Sequence, residues 1–330
     1  MKVVLVLLAI LLLFLAAGPA SGAAVLKQVR EKHEKKLLET EGVTGVYDDP
    51  VADEIVVMVE RAEHTRKVPE KVDGIRVRVI VTGKIMALDT AAATPEAVSL
   101  PRKAVYSRTG ENRPVFGGIS LGGAGIPGSS GTLGLVVRGS DGNTYALSNA
   151  HVLAMDTEAN FVSKGTEAWQ PGGFDGGSSD TSIGTLADYI DIDFDDTTGK
   201  NKADAAIALL DEGTYDRLGR VLNMRNNGFY TVSGTTPARP WRLVRKSGRT
   251  SGVSYGLVLS SSASVRVQYT TEKVALFTDQ ILTTVMSQPG DSGSAVDVNG
   301  KFAGLLFAGS DTITVVCKAE HILGPLGITV

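Results

Sequence analysis

The chain has 330 residues, a formal net charge of −3 and 21% charged residues, long enough for two domains. The near-neutral balance and the lack of a basic patch argue against a nucleic-acid partner. One cysteine, Cys317, excludes an intramolecular disulfide, and four scattered histidines offer no zinc cluster, so no metal or cofactor is expected. Cys317 reads as a small buried apolar residue.

In chain order, Lys2 precedes an apolar run from Val3 to Ala17, and the small residues Gly18-Pro19-Ala20-Ser21-Gly22-Ala23 follow. Residues 1–23 read as a signal peptide cut after Ala23, with a secreted or periplasmic destination. The run is short for a membrane span. The alternative is an uncleaved signal anchor with the remainder exported. No other stretch is long enough to cross a bilayer, so no stable span is expected after signal removal.

Residues 24–88 read as a small α+β domain. Val25 to Glu41 is charged and helix-prone, with Leu26, Val29, Leu37 and Leu38 as its apolar positions. Glu54–Glu60 and Ile75–Val81 are strand-like. His33 and His64 lie among charges and read as solvated. The unit is either a propeptide or a permanent accessory domain. Residues 89–114, rich in Ala, Thr, Pro and charge, read as a linker. Its Arg102, Lys103 and Arg108 are expected to be exposed and open to nicking.

From 115 to 330, short Val/Ile/Leu runs alternate with Gly/Ser/Thr/Asn turns, the pattern of a mainly β protein with many hairpins. Within it, Asp188 to Asp196 alternates Asp with Ile and Phe, which predicts a strand with one wet face. A calcium loop is the alternative. Asp191, Asp193 and Asp195 match the first ligand positions of an EF-hand, but Asp196 replaces the glycine at position six and Lys202 the glutamate at position twelve.

Gln288-Pro289-Gly290-Asp291-Ser292-Gly293-Ser294 carries the chemistry. Gly290 and Gly293 permit a tight turn that a Cβ would block. Such a turn can aim the N–H groups of Gly290 and Ser292 at one point, as a developing oxyanion requires, with Ser292 Oγ beside them as nucleophile. A serine hydroxyl needs a base. His321 lies near the C-terminus; His151 follows the apolar run Tyr145-Ala146-Leu147-Ser148-Asn149-Ala150, at the edge of a core. The imidazole needs a shielded carboxylate. Asp204 enters the apolar run Ala205-Ala206-Ile207-Ala208-Leu209-Leu210 and must find a partner there. Asp188, Asp191, Asp193, Asp195 and Asp196 compete with it.

The order His151, Asp204, Ser292 is that of the double β-barrel proteases. Residues 115–330 resemble a trypsin-like serine protease of the chymotrypsin fold. The segments around His151 and Asp204 resemble the family's histidine and aspartate motifs, and the segment around Ser292 matches its serine motif closely. Gly131-Thr132-Leu133-Gly134 and Lys246-Ser247-Gly248-Arg249-Thr250-Ser251-Gly252 resemble its prokaryotic branch. The resemblance implies a double antiparallel β-barrel protease domain after the small α+β domain. It also implies peptide-bond hydrolysis through an acyl-enzyme, with protein or peptide substrates.

Val115-Phe116-Gly117-Gly118 is a poor copy of the family's activation site, so Asp291 is expected to be satisfied within its own barrel. The resemblance places Met286 at the base of the substrate pocket, walled by Ser287, Gln288, Ala308, Gly309 and Ser310. It implies a preference for small or medium apolar residues over Arg or Lys. A catalytically silent binding or scaffolding barrel is the alternative, and another acyl hydrolase remains open. Oligomeric state is not legible.

Overall fold

The computed structural model describes residues 19–88 and 104–330. The chain divides into two compact units, Met1–Gly83 and Lys84–Val330. The expected signal segment therefore lies largely outside the described residues, and its cleavage point after Ala23 falls within a helix. No helix among the described residues is long and apolar enough to cross a membrane.

In the first unit, helix α1 (Pro19–Leu38) precedes strands β1 (Val43–Asp49), β2 (Glu54–Val59), β3 (Lys71–Val72) and β4 (Ile75–Val81). β2 is central, antiparallel to β1 and parallel to β4. Its sequence EIVVMV is apolar on both faces after Glu54, and every residue is buried, as a strand covered on two sides requires. Leu26, Leu37 and Leu38 of α1 are buried as well. His64 is buried rather than solvated. Its ring takes the space over Gly42, where a Cβ would come within 2.1 Å of it.

The second unit is mainly β. It opens with β5 (Ile85–Ala87), so the expected boundary at Leu88 falls just beyond a strand of this unit. One sheet contains β6 (Ile119–Gly123), β7 (Gly131–Leu133), β8 (Leu135–Gly139), β9 (Thr144–Ser148), β10 (Glu167–Trp169), β11 (Ser182–Tyr189), β12 (Ala206–Leu210) and, from the C-terminus, β21 (Ile328–Thr329). Its order is β21-β8-β9-β12-β11-β10-β6-β7. β7 continues through Gly134 into β8 at the other end of that order, which curls the sheet. β13 (Arg220–Leu222) and β14 (Phe229–Thr231) form a separate hairpin.

The remaining strands are β15 (Leu243–Gly248), β16 (Gly252–Gln268), β17 (Val274–Thr284), β18 (Ala295–Val298), β19 (Lys301–Gly309) and β20 (Ile313–Lys318). They run in the order β15-β18-β19-β20-β17-β16, and β16 pairs back to β15. The pairing of β16 back to β15 closes these six strands into a barrel, and the ends of β16 and β19 leave edges that pair with β5. β16 is 17 residues long and breaks register with β17 three times, bending as a strand must to wrap the barrel. The second unit therefore has the expected two-barrel plan of the chymotrypsin type.

Two expectations are corrected here. β11 ends at Tyr189, and residues 190–196 form a loop rather than a strand. Alternation gives way to local side-chain-to-backbone bonds: Asp196 accepts from the N–H groups of Thr198 and Lys200, and Asp193 Oδ1 from that of Asp195. Arg108 is buried, not exposed. Its guanidinium donates to the carbonyls of Gly118 (2.7 Å), Gly248 (3.1 Å) and Asn223 (3.0 Å) and to Ser247 Oγ (2.9 Å), tying the residue before β6 and the residue after β13 to the end of β15. Burial lowers its pKa to about 10. The expected linker thus ends as ordered structure of the second unit. Arg102 and Lys103 lie outside the described residues.

Candidate active site

The register of β9 and β12 brings His151 to Asp204. Ser148 pairs with Ala206 in antiparallel register, so Ala150, two residues after Ser148, and Asp204, two residues before Ala206, lie opposite each other just beyond the paired strands. There the chain after β9 turns into the short helix α2 (Ala150–Leu153). Asp204 Oδ1 accepts the backbone N–H groups of Ala150 (2.6 Å) and His151 (3.2 Å). Oδ2 lies 2.6 Å from His151 Nδ1 and accepts the Tyr269 hydroxyl at 2.7 Å. The Asn149 amide donates to the Asp204 carbonyl at 2.6 Å.

Asp204 is fully buried, and each carboxylate oxygen holds two partners. Burial pushes this carboxyl up. The His151 imidazole and the Tyr269 hydroxyl outweigh burial and hold it below its ordinary value. Tyr269 is pushed well above the phenol range by burial and by Asp204, so it remains a donor.

Ser292 sits on the turn before β18. Gly290 and Gly293 have φ of 92° and 89°, the left-handed region that favours glycine. At Gly293 space also demands glycine: a Cβ would lie 2.1 Å from Ser148 Oγ and 2.3 Å from the Thr132 carbonyl. That contact draws the serine turn against the segment that leads into His151. The Ser292 carbonyl accepts Thr132 N–H at 2.7 Å. Ser292 Oγ donates to the Phe307 carbonyl at 3.2 Å. Gly290 N–H donates to the carbonyl of Leu88 at 2.9 Å.

Asp291 points into the barrel, where Lys246 Nζ lies 2.7 Å from its Oδ2 with both side chains fully buried. It also accepts from Ser251 Oγ (2.5 Å) and from the N–H groups of Thr250, Ser251 and Gln288, each at 3.0 Å. Val115 N–H is spent on the Thr214 carbonyl at 2.8 Å. The cation beside Asp291 is therefore a side chain and not a chain terminus.

Of the expected pocket residues, Met286 is buried in an apolar cluster with Leu88, Val258 and Ile281. Its sulfur lies 2.9 Å from where a Cβ on Gly256 would stand. Gly309 faces Ser287 Oγ and Leu88 Cδ1, at 3.3 and 3.6 Å from its ideal Cβ position. Ala308 is fully buried. Ser287 Oγ bonds Thr314 Oγ1 at 2.7 Å. Ser310 Oγ bonds Thr312 Oγ1 at 3.2 Å, and its N–H donates to the Ile313 carbonyl at 2.9 Å within its own hairpin.

Three residues about this site were not assigned to it from sequence: Tyr269, Lys246 and Cys317. Asp204 N–H donates to Cys317 Sγ at 3.2 Å. Burial, reinforced by Asp204, pushes that thiol well up. Lys246 lies in the segment Lys246–Gly252, whose resemblance to the prokaryotic branch implies no role for it. Tyr269 had no signal, being 65 residues from Asp204.

For a metal, one trio of donor side chains lies within 4.8 Å among the described residues: Asp279, Glu320 and His321. The acidic run 188–196 contributes none of them.

No family model and no curated protein sequence matches the chain. Among solved structures, it is similar to Protease A of Thermobifida fusca, at 21% identity over 65% of this chain and 97% of that one, with a TM-score of 0.48. A protease of Nocardiopsis matches at 18% identity over the same shares, with a TM-score of 0.49. A glutamic-acid-specific serine protease matches at 22% identity over 66% of this chain and all of the other, with a TM-score of 0.47.

Proposed function

We propose that the chain is an exported serine endopeptidase. The observation that carries this reading is the fully buried Asp204 carboxylate 2.6 Å from His151 Nδ1, with two backbone N–H groups fixing its other oxygen. That bond holds the tautomer with the proton on Nδ1 and leaves Nε2 to act as base. His151 removes the Ser292 Oγ proton as Oγ attacks the scissile carbonyl carbon. The N–H groups of Gly290 and Ser292 receive the oxyanion. Collapse of the tetrahedral species breaks the C–N bond as His151 protonates the leaving amine. Water, deprotonated by His151, then releases the acyl group.

No cofactor enters this sequence. The apolar floor at Met286 favours small or medium apolar residues before the scissile bond, because a buried cation would lack a partner there. Export rests on the apolar run of residues 3–17 and the small residues that follow. The mass of the exported protein before any further processing should correspond to a start near Ala24.

The test is fluorophosphonate labelling together with peptide hydrolysis. Wild-type chain should label at Ser292 and turn over peptides. Ser292→Ala should fold, fail to label, and lose activity on the order of a millionfold. A folded wild-type chain that neither labels nor hydrolyses would be a binding barrel instead.

A further inference from the structure

We propose that the chain's own segment Ile85–Leu88 occupies the substrate cleft and that Ser292 of the same molecule cuts the bond between Leu88 and Asp89. This rests on the serine-endopeptidase reading above. Four observations within the second unit converge on it. First, β5 lies antiparallel to the end of β19, Met86 opposite Gly309 and Ala87 opposite Ala308. Its other side pairs parallel with β16 at Ile85–Val267 and Met86–Gln268. An extended peptide added to a sheet edge is a general mode of peptide recognition, in which main-chain bonds hold the peptide and pockets read its side chains.

Second, Leu88 continues that ladder by donating its N–H to the Phe307 carbonyl at 3.2 Å. Ser292 Oγ donates to the same carbonyl oxygen, also at 3.2 Å. The nucleophile and the Leu88 backbone thus share one acceptor. Third, the Leu88 carbonyl oxygen, the atom that becomes the oxyanion, accepts Gly290 N–H at 2.9 Å. This is the distance expected of an oxyanion donor. Fourth, the Leu88 side chain is buried, clustered with Met286 and in van der Waals reach of Gly309. These are the residues assigned to the primary pocket. One residue thus fills the pocket, the ladder and the oxyanion donor at once.

The step balances without a co-reactant other than water. Ser292 Oγ adds to the Leu88 carbonyl carbon and its proton passes to His151. The C–N bond to Asp89 breaks and the Asp89 amine leaves with that proton. Water then cleaves the ester, giving a Leu88 carboxylate and restoring the Ser292 hydroxyl. The covalent link between residues 1–88 and 89–330 is lost, and the cleft's first occupant becomes a product with an ordinary off-rate.

The experiment follows purified full-length chain by intact mass and N-terminal sequencing, with hydrolysis of a separate peptide bearing Leu before its scissile bond measured in parallel. The expected result is a new terminus at Asp89 whose rate of appearance does not change on tenfold dilution. It should be absent in Ser292→Ala and about 100-fold slower in Leu88→Asp, because an apolar pocket rejects a carboxylate. Leu88→Ala, a milder change, should still be cut but more slowly. Peptide hydrolysis with the 88–89 bond intact, or a cut made elsewhere, overturns this proposal and leaves the endopeptidase reading standing. So does a rate that rises with chain concentration. Failure of both peptide hydrolysis and fluorophosphonate labelling overturns the two together.

Discussion

Replacing Lys246 by Met tests what holds the serine turn in place. The change is made in a Ser292→Ala background so that self-digestion does not distort the measurement. Met keeps most of the stem volume, so the loss is one of charge and hydrogen bonds. The ammonium donates to Asp291 Oδ2 (2.7 Å), Ser251 Oγ (2.5 Å) and the Gly252 carbonyl (3.1 Å), and both ionic side chains are fully buried. Removing one partner of a buried pair costs about 3–5 kcal/mol, because the other charge is left uncompensated. Asp291 keeps Ser251 Oγ and three backbone N–H donors. The expected loss at pH 7 is therefore near the lower end, about 3 kcal/mol.

The pH dependence is a second, independent reading of the same change. Burial pushes the Asp291 carboxyl up, but Lys246 and Ser251 outweigh it and hold it below its ordinary value. A depressed folded pKa contributes stability that is present above the unfolded value of about 3.9 and lost as pH falls through the folded value. Without Lys246 the largest opposing influence is gone and burial raises the folded pKa. Asp291 then destabilises the variant most where it must ionise. The deficit should be largest at pH 7 and shrink as the pH falls through the raised folded value toward the unfolded one. Urea unfolding followed by the fluorescence of Trp169 and Trp241 reads both effects. A loss below about 1 kcal/mol at pH 7, the range of an exposed pair, would refute the reasoning. So would a deficit that grows on acidification.

Asp204→Asn should lower kcat by about 10⁴ by favouring the wrong imidazole tautomer, whereas Asp193→Asn, whose carboxylate serves a loop turn, should leave kcat near wild type; steady-state kinetics on a short peptide decide. Tyr269→Phe removes a hydrogen bond to a buried carboxylate, worth about 1.5–3 kcal/mol. It should reduce kcat by roughly tenfold or more with KM little changed; an effect on stability alone would make Tyr269 a packing residue. Cleavage of a peptide library should favour Leu and similar apolar residues before the scissile bond. A dominant Arg or Lys preference would mean that Met286 is not the pocket floor.

Several parts of this protein were legible from one sequence because their causes are local. The glycines of the serine turn announce a backbone conformation within five residues. The short apolar runs after residue 115 announce hairpins, and the apolar surroundings of His151 and Asp204 announce burial. Other parts were misread because different structures share one local pattern. Asp alternating with apolar residues fits a wet-faced strand and also a loop closed by Asp-to-backbone bonds, and the loop prevails past Tyr189. The sequence suggests exposure for Arg108 from its place in a Pro-bearing linker and for His64 from its charged neighbours. Their burial depends on acceptors and space supplied by residues far along the chain, such as Asn223 and Ser247 for Arg108. Tyr269 on Asp204, Lys246 on Asp291 and Leu88 on Gly290 join segments 65, 45 and about 200 residues apart. Those contacts are set by how two barrels close and by which strand β19 accepts as its neighbour. A single sequence carries no periodicity that reports such pairings, because their partners meet only when the sheets have formed.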